Sequence, residues 1–281
     1  YEVGREKIRE YAAAIGETSP IYYEPAEARA AGFRALVAPP MFCSVYCAPA
    51  MARTAFHPDL GVDRARLVHG EQCFEWLEPV CAGDTIATGC ELTNLYRQGG
   101  NTFFVFGSTS RNQDGTETVR GAYTGIVRGA DGTPDAPRRG ADRMAKRAEA
   151  KQRGGAPLPE FRVTPDKYLP FRYAGASGDF TPIHLDAEFA RSVGLPGIIL
   201  HGLYTMAVVA RAQVEAVGGD PRLLRRLRVR FRGVALPEVE ISVMGRVRET
   251  AAGMTIVDTR AVQGDTEIVG NAEAVLSGPV S

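Results

Sequence analysis

No run of roughly 18 to 20 apolar residues, the length that crosses a bilayer as a helix, occurs in this 281-residue chain. A membrane-spanning helix is therefore not expected. Net charge is also lacking: 33 lysines and arginines balance 33 aspartates and glutamates, so no global field draws the chain to nucleic acid or to an anionic membrane. The five cysteines, Cys43, Cys47, Cys73, Cys81 and Cys90, are odd in number and lack the spacing of a secreted disulfide framework. Cys43 and Cys47 fall on one helix face, but no histidine or carboxylate beside them in sequence completes a zinc site, so they read as small buried hydrophobes. There are only four histidines, and no G-x-S-x-G nucleophile turn is present. With no second histidine at ligand spacing, neither a metal nor a cofactor is expected. The first twenty residues are charged and helical in pattern, unlike a signal peptide, and a cytoplasmic location is expected.

What the chain does contain is an internal repeat. Gly16-Glu17-Thr18-Ser19-Pro20-Ile21-Tyr22 aligns with Gly178-Asp179-Phe180-Thr181-Pro182-Ile183-His184 at a fixed offset of 162 residues. The same offset pairs Tyr11-Ala12 with Tyr173-Ala174, Ala31-Gly32-Phe33 with Val193-Gly194-Leu195, and Pro39-Pro40 with His201-Gly202. Matches of Gly, Pro and Ile in one register identify a tandem duplication. Composition is ordinary for a globular protein, and the length suffices for two units. The expected division is a first unit over 1–130, a linker over 131–159 rich in Pro, Gly, Ala, Arg and Lys, and a second unit over 160–281.

Each copy reads alike. A short helix (5–15; 165–176) leads into a bend and a charged helical turn (25–31; 187–193). A longer apolar helix follows (40 to about 53; 202 to about 217), and in the second copy its apolar residues cover most faces, which implies burial nearly all round. Strands come next: 66–75, 84–96, 101–112 and 116–127 in the first copy, 227–231, 240–249, 254–262 and 267–276 in the second. Gly99-Gly100, Gly253 and Gly264-Asp265 mark the hairpins. A long buried helix followed by an antiparallel meander is an α+β unit, and the two units are expected to pair edge to edge. The arginines between Arg222 and Arg232 alternate at the end with Leu227, Val229 and Phe231; a phosphate-bearing ligand or an exposed strand face explains them equally.

The second copy carries chemistry that the first lacks. Pro182 lies between Asp179 and His184, so the segment cannot be one uninterrupted helix, and a bend there aims both side chains at one point. A carboxylate and an imidazole can hold and deprotonate a water. The start of the apolar helix at Gly202 offers N–H donors and a positive dipole end to an oxyanion. An Asp or His in a bend is by itself more often structural. The first copy alters that balance: it keeps Gly16, Pro20 and Ile21 but has Glu17, Tyr22 and Pro39-Pro40 where the second has Asp179, His184 and His201-Gly202. One equipped and one degenerate copy implies a single active site, with the first copy as pocket wall. Of the other histidines, His57 reads as surface, His69 as a weaker candidate for the cavity lining, and His201 as a positioner of Gly202.

At these residues the sequence resembles the MaoC-like family of (R)-specific enoyl-CoA hydratases and 3-hydroxyacyl-thioester dehydratases. Ser177-Gly178-Asp179-Phe180-Thr181-Pro182-Ile183-His184 and His201-Gly202 match its hydratase motif, with Thr181 in place of Asn. The first half is similar to the family's N-terminal dehydratase domain through Ser19-Pro20-Ile21-Tyr22 and His69-Gly70-Glu71-Gln72, leading to Gly83-Asp84. The resemblance implies a double hot-dog fold, a catalytic pair Asp179 and His184, and an oxyanion and substrate-binding set of Gly202, Ser177 and His201. It implies a hydro-lyase acting on acyl thioesters of CoA or acyl carrier protein; a homodimer is expected separately, because a two-unit sheet still has edges. A hot-dog thioesterase and a non-catalytic acyl-thioester-binding subunit are the competing readings.

Overall fold

The structure, a computed structural model, describes residues 1–62, 66–129, 155–278 and 280. Most of the expected linker, 131–154, lies outside the described residues. In the first unit, helices α1 (Arg5–Ala14), α2 (Pro25–Ala30) and α3 (Cys43–Ala55) precede strands β1 (Leu67–Trp76), β2 (Ala87–Gln98), β3 (Asn101–Arg111) and β4 (Glu117–Val127). The second unit opens with a short strand, β5 (Phe161–Val163), which the sequence pattern did not reveal. It continues with α4 (Leu169–Ser177), α5 (Ala187–Ser192), α6 (Gly202–Ala216), β6 (Leu224–Phe231), β7 (Ile241–Ala251), β8 (Met254–Gln263) and β9 (Thr266–Ser277).

The described strands form one antiparallel sheet in the order β2-β3-β4-β1-β6-β9-β8-β7-β5. The two units meet edge to edge where β1 pairs with β6, Glu71 opposite Arg230 and Glu75 opposite Arg226. Each half curls against its own long helix, α3 against β2 and β3, α6 against β6 to β9. Gly99 and Gly100 both have positive φ (57° and 75°), the backbone that a two-residue hairpin demands and that glycine adopts without strain.

α6 is buried from Tyr204 through Ala210 without interruption, so it lies inside the sheet's curve as its all-round apolarity requires. α3 is less regular. Pro39-Pro40 makes a 3₁₀ turn over Pro40–Phe42 before the helix begins, and Pro49 interrupts its interior ladder. One hydrophobic core runs through both units, joining Phe42 and Phe74 of the first to Tyr204, Met206 and Leu227 of the second. At its centre Tyr11 and Tyr173, equivalent in the duplication, bring their hydroxyls to 3.4 Å.

The basic run on β6 resolves toward the exposed-face reading. Arg228 and Arg230 pair with Glu71 across the unit boundary, Arg226 with Glu273 and Arg232 with Glu267. The cysteines are all free: Cys43, Cys47 and Cys81 are buried, Cys73 and Cys90 half-buried.

Candidate active site

The site is assembled from a helix end, a bend and a helix start. α4 ends at Ser177, whose hydroxyl donates to the Tyr173 carbonyl at 2.7 Å and accepts the Asp179 N–H at 3.2 Å. Gly178 follows with φ 81°, a left-handed helix cap that turns the chain out of α4 and into the bend. One oxygen of Asp179, Oδ1, accepts both the Thr181 N–H (3.1 Å) and the Thr181 hydroxyl (2.6 Å). The carboxylate is thereby fixed by one oxygen, while Oδ2 has no described partner. Pro182 then starts a 3₁₀ turn over Pro182–His184 and places His184 beneath the bend, 7% exposed.

Both imidazoles have defined tautomers. His184 Nδ1 lies 2.9 Å from the Ile199 carbonyl, which can only accept, so Nδ1 carries the proton and Nε2 the lone pair. His201 Nε2 lies 3.0 Å from the Asp179 carbonyl and carries its proton, leaving Nδ1 buried without a partner. The two rings stack at 3.8 Å between centroids and 26° between planes, and Tyr173 flanks His201 at 4.9 Å. Polar atoms of Asp179, His184 and His201 all lie within 4.8 Å of one another. His201, read from the sequence as a positioner of Gly202, is therefore a member of the cluster.

This three-residue set corrects the expectation that no second histidine stands at ligand distance, since nitrogen and oxygen donors of the kind that hold zinc are gathered here. The stacking works against shared coordination. Imidazole binds a metal in its ring plane at about 2 Å, and two near-parallel rings aim their lone pairs side by side rather than at one point.

Burial pushes His184 below the ordinary imidazole value, opposed by the Ile199 carbonyl and the charge of Asp179. His201 is pushed down to about 4, first by burial and then by its neighbour His184. Burial alone would raise Asp179, but the Thr181 hydroxyl, then His201 and His184, outweigh it and hold the carboxyl below its usual value. At neutral pH the site is thus a carboxylate facing two neutral imidazoles.

α6 begins directly at Gly202, and its cap residue His201 makes no side-chain capping bond. The first N–H groups of the helix are therefore left without intrahelical acceptors, beside the cluster. A Cβ on Gly202 would meet the Phe231 ring at 3.3 Å, so the backbone approaches its neighbour at glycine distance. Phe231 in turn packs on His69 at 4.6 Å between centroids. His69, on β1 of the first unit, has its Nε2 buried without a partner. Burial pushes its pKa down to about 4, opposed by Gln72 and by the charge of Asp179. His69, read from the sequence as a weaker candidate for the cavity lining, is thus an ionisable contribution of the first unit to this neighbourhood. Ser177 is buried, and its hydroxyl is used on both sides, by the Tyr173 carbonyl and the Asp179 N–H. His57 is exposed, as expected, and pairs with Asp59.

Residues 1–120 match the FAS1-like dehydratase domain region, and residues 150–269, which include Asp179, His184, His201 and Gly202, match the MaoC-like domain. The chain belongs to the MaoC-like dehydratase family. Among curated relatives, a UPF0336 protein of Clavibacter michiganensis is 40% identical over 131 residues, 47% of this chain and 88% of the relative. Among solved structures, a MaoC-like dehydratase superposes with a TM-score of 0.84 at 27% identity, covering 99% of this chain and 95% of the other. A Mycobacterium tuberculosis protein with a double hot-dog fold gives 0.65 at 12% identity, covering 98% and 92%, which bears on the fold alone. The α+β double hot-dog expected from the sequence is the fold of this chain.

Proposed function

We propose that the chain is a hydro-lyase that adds water across the C2=C3 bond of 2-enoyl thioesters and, in reverse, dehydrates (R)-3-hydroxyacyl thioesters of CoA or acyl carrier protein. The observation that carries this reading is the pairing of a half-fixed carboxylate, Asp179, with a neutral imidazole, His184, whose tautomer leaves Nε2 free. A gap within 4.8 Å is one that a single water bridges, hydrogen-bonded to both groups. In the hydration direction that water adds its oxygen to C3 as the pair withdraws its proton, and the pair returns a proton to C2. Atoms balance without any co-reactant. The thioester oxygen, which gains charge as C3 is attacked, is received by the open N–H groups at the start of α6 near Gly202.

Three finer assignments belong to the same proposal. The chain acts in the cytoplasm, takes its substrate from fatty-acid or polyketide metabolism, and forms a homodimer through an exposed sheet edge such as β2.

The test follows the loss of enoyl-thioester absorbance. Wild type is expected to show turnover, and Asp179→Asn and His184→Ala none above background; full activity in both variants would sink the assignment. Thiol release from a saturated acyl-CoA, with no hydration, would point instead to a thioesterase, and binding without turnover to a non-catalytic subunit.

A further inference from the structure

The degenerate copy is not filled in. A cavity of about 310 Å³ opens at Pro39 and Pro40, where the duplication places the counterpart of His201-Gly202. Neither Asp179, His184 nor His201 lines it. Its walls are apolar, built from Phe42, Trp76, Val80 and Val119 of the first unit and Leu224 of the second, and its volume falls at the lower end of the range of small-molecule sites. Chemistry of the second-copy kind is impossible there. Pro40 has no N–H to offer an oxyanion, and the indole N–H of Trp76 is already donated to the Pro40 carbonyl at 2.8 Å.

The charges around the cavity differ from those of the β6 face described above. Arg222 is held by both carboxylate oxygens of Asp220. Arg225 lines the cavity, half-buried, and its guanidinium has no partner among the described residues, unlike the other five arginines of the run. Glu78, exposed, is the one acidic lining residue. A half-buried, unpaired guanidinium beside an apolar hollow is costly until an anion with an apolar body arrives. A carboxylate meets it with two parallel hydrogen bonds. With Arg222 engaged and Glu78 nearby, the local charge suits one negative charge rather than the several of a phosphate ester.

We propose that this cavity is a second, non-catalytic ligand site that takes an aliphatic carboxylate, the carboxyl group on Arg225 and the chain along Phe42, Trp76 and Val119. The inference is independent of the proposed hydro-lyase activity, and so is its test.

Trp76 is the chain's single tryptophan, so its fluorescence reports on this cavity directly. Titration with octanoate is expected to give a saturable fluorescence change, with calorimetry in parallel to register binding that the indole does not sense. Arg225→Gln should weaken binding about ten-fold or more, Glu78→Gln should tighten it, and Asp179→Asn should leave it unchanged. Ala38→Leu, which fills the cavity wall, should weaken it too and covers the case in which Arg225→Gln fails to fold. Thermal unfolding checks both variants. The proposal is overturned by the absence of saturable binding in both measurements, or by equal binding of octylammonium, which would show mere apolar partition. Competition by inorganic phosphate overturns it as well, as does loss of binding in Asp179→Asn, which would place octanoate at the other site.

Discussion

The two copies share a backbone frame, and three of the substitutions between them each remove a separate chemical capacity. Where the second copy has Asp179, tied by one oxygen and open at the other, the first has Glu17, half-buried and facing Arg211 at 3.8 Å. Burial raises the Glu17 carboxyl above its usual value despite Arg211, whereas Asp179 is held below. In place of His184 stands Tyr22, almost wholly buried, with its hydroxyl unpartnered and its pKa pushed far above the neutral range by burial. In place of Gly202 stands Pro40, without an N–H. The bend can therefore hold or lose its acid and its imidazole without altering its path, because it is made by Gly, Pro and Ile and not by the reactive groups.

The contrast breaks most sharply at the imidazole. His184→Ala is expected to lower hydration about 10³-fold, within the range of general acid–base catalysis, while Tyr22→Phe in the other copy leaves turnover unchanged; steady-state kinetics on one enoyl thioester reads both. Next comes Gly202→Pro, which writes the first copy's residue into the second. Proline suits the first helical position, and His201 already has the extended backbone that precedes proline (ψ 136°), but the new Cβ meets the Phe231 ring at 3.3 Å, so thermal unfolding must first show that the ring gives way and the chain folds. The lost N–H should lower kcat about 10²-fold with smaller effect on KM.

Arg211→Met tests the other side, removing the partner that Glu17 has in the interior. It should destabilise the protein by about 2 kcal/mol at neutral pH, read by denaturant unfolding, and by less in acid, where Glu17 is protonated and neutral. Acid sensitivity should in turn come from the buried imidazoles, His201 of the equipped site and His69 of the first unit, both pushed down to about 4. His201 titrates near 4 when folded and near 6.5 when unfolded, so the unfolded chain binds more protons between those values. Stability should fall as pH drops from about 6.5 toward 4, and His201→Asn should flatten that slope in melting temperature. The smallest effect expected is that of Tyr173→Phe, about 1 kcal/mol or less, since Tyr11 keeps the Met41 carbonyl as an acceptor at 2.7 Å.

The duplication made much of this legible in the sequence, because a repeat converts one bend into a controlled comparison. Helix and strand periods placed every long element to within a few residues, and the edge-to-edge joining of the units followed from an unprotected strand. What escaped was set by tertiary contact alone. His201 lies seventeen residues beyond His184, and only the return of the chain through Ile199 stacks the two rings. His69 reaches the site from the other unit through Phe231, a contact with no local signal. Thr181, flagged as a departure from the family motif, binds Asp179 through both its hydroxyl and its N–H, so the bend is held by a different donor. The turn at Pro237-Glu238-Val239, which stands where the first copy has Ala82-Gly83-Asp84, is held in another way as well. Gln263 donates to the Leu236 and Val239 carbonyls and accepts the Leu236 N–H, replacing the internal tie that Asp84 makes to the Cys81 N–H in the first copy.

The β1–β6 ladder also bears on how such a site survives in a cell. Two separate hot-dog subunits would find each other by collision, and their shared site would vanish on dilution. Here the partners are one covalent chain, so their local concentration is fixed by tether length and not by expression level. An equipped unit is always matched with an unequipped one and never with its own kind. The first copy is thereby released from keeping an acid, a base or an oxyanion donor, and its vacated hollow is free to be put to another use.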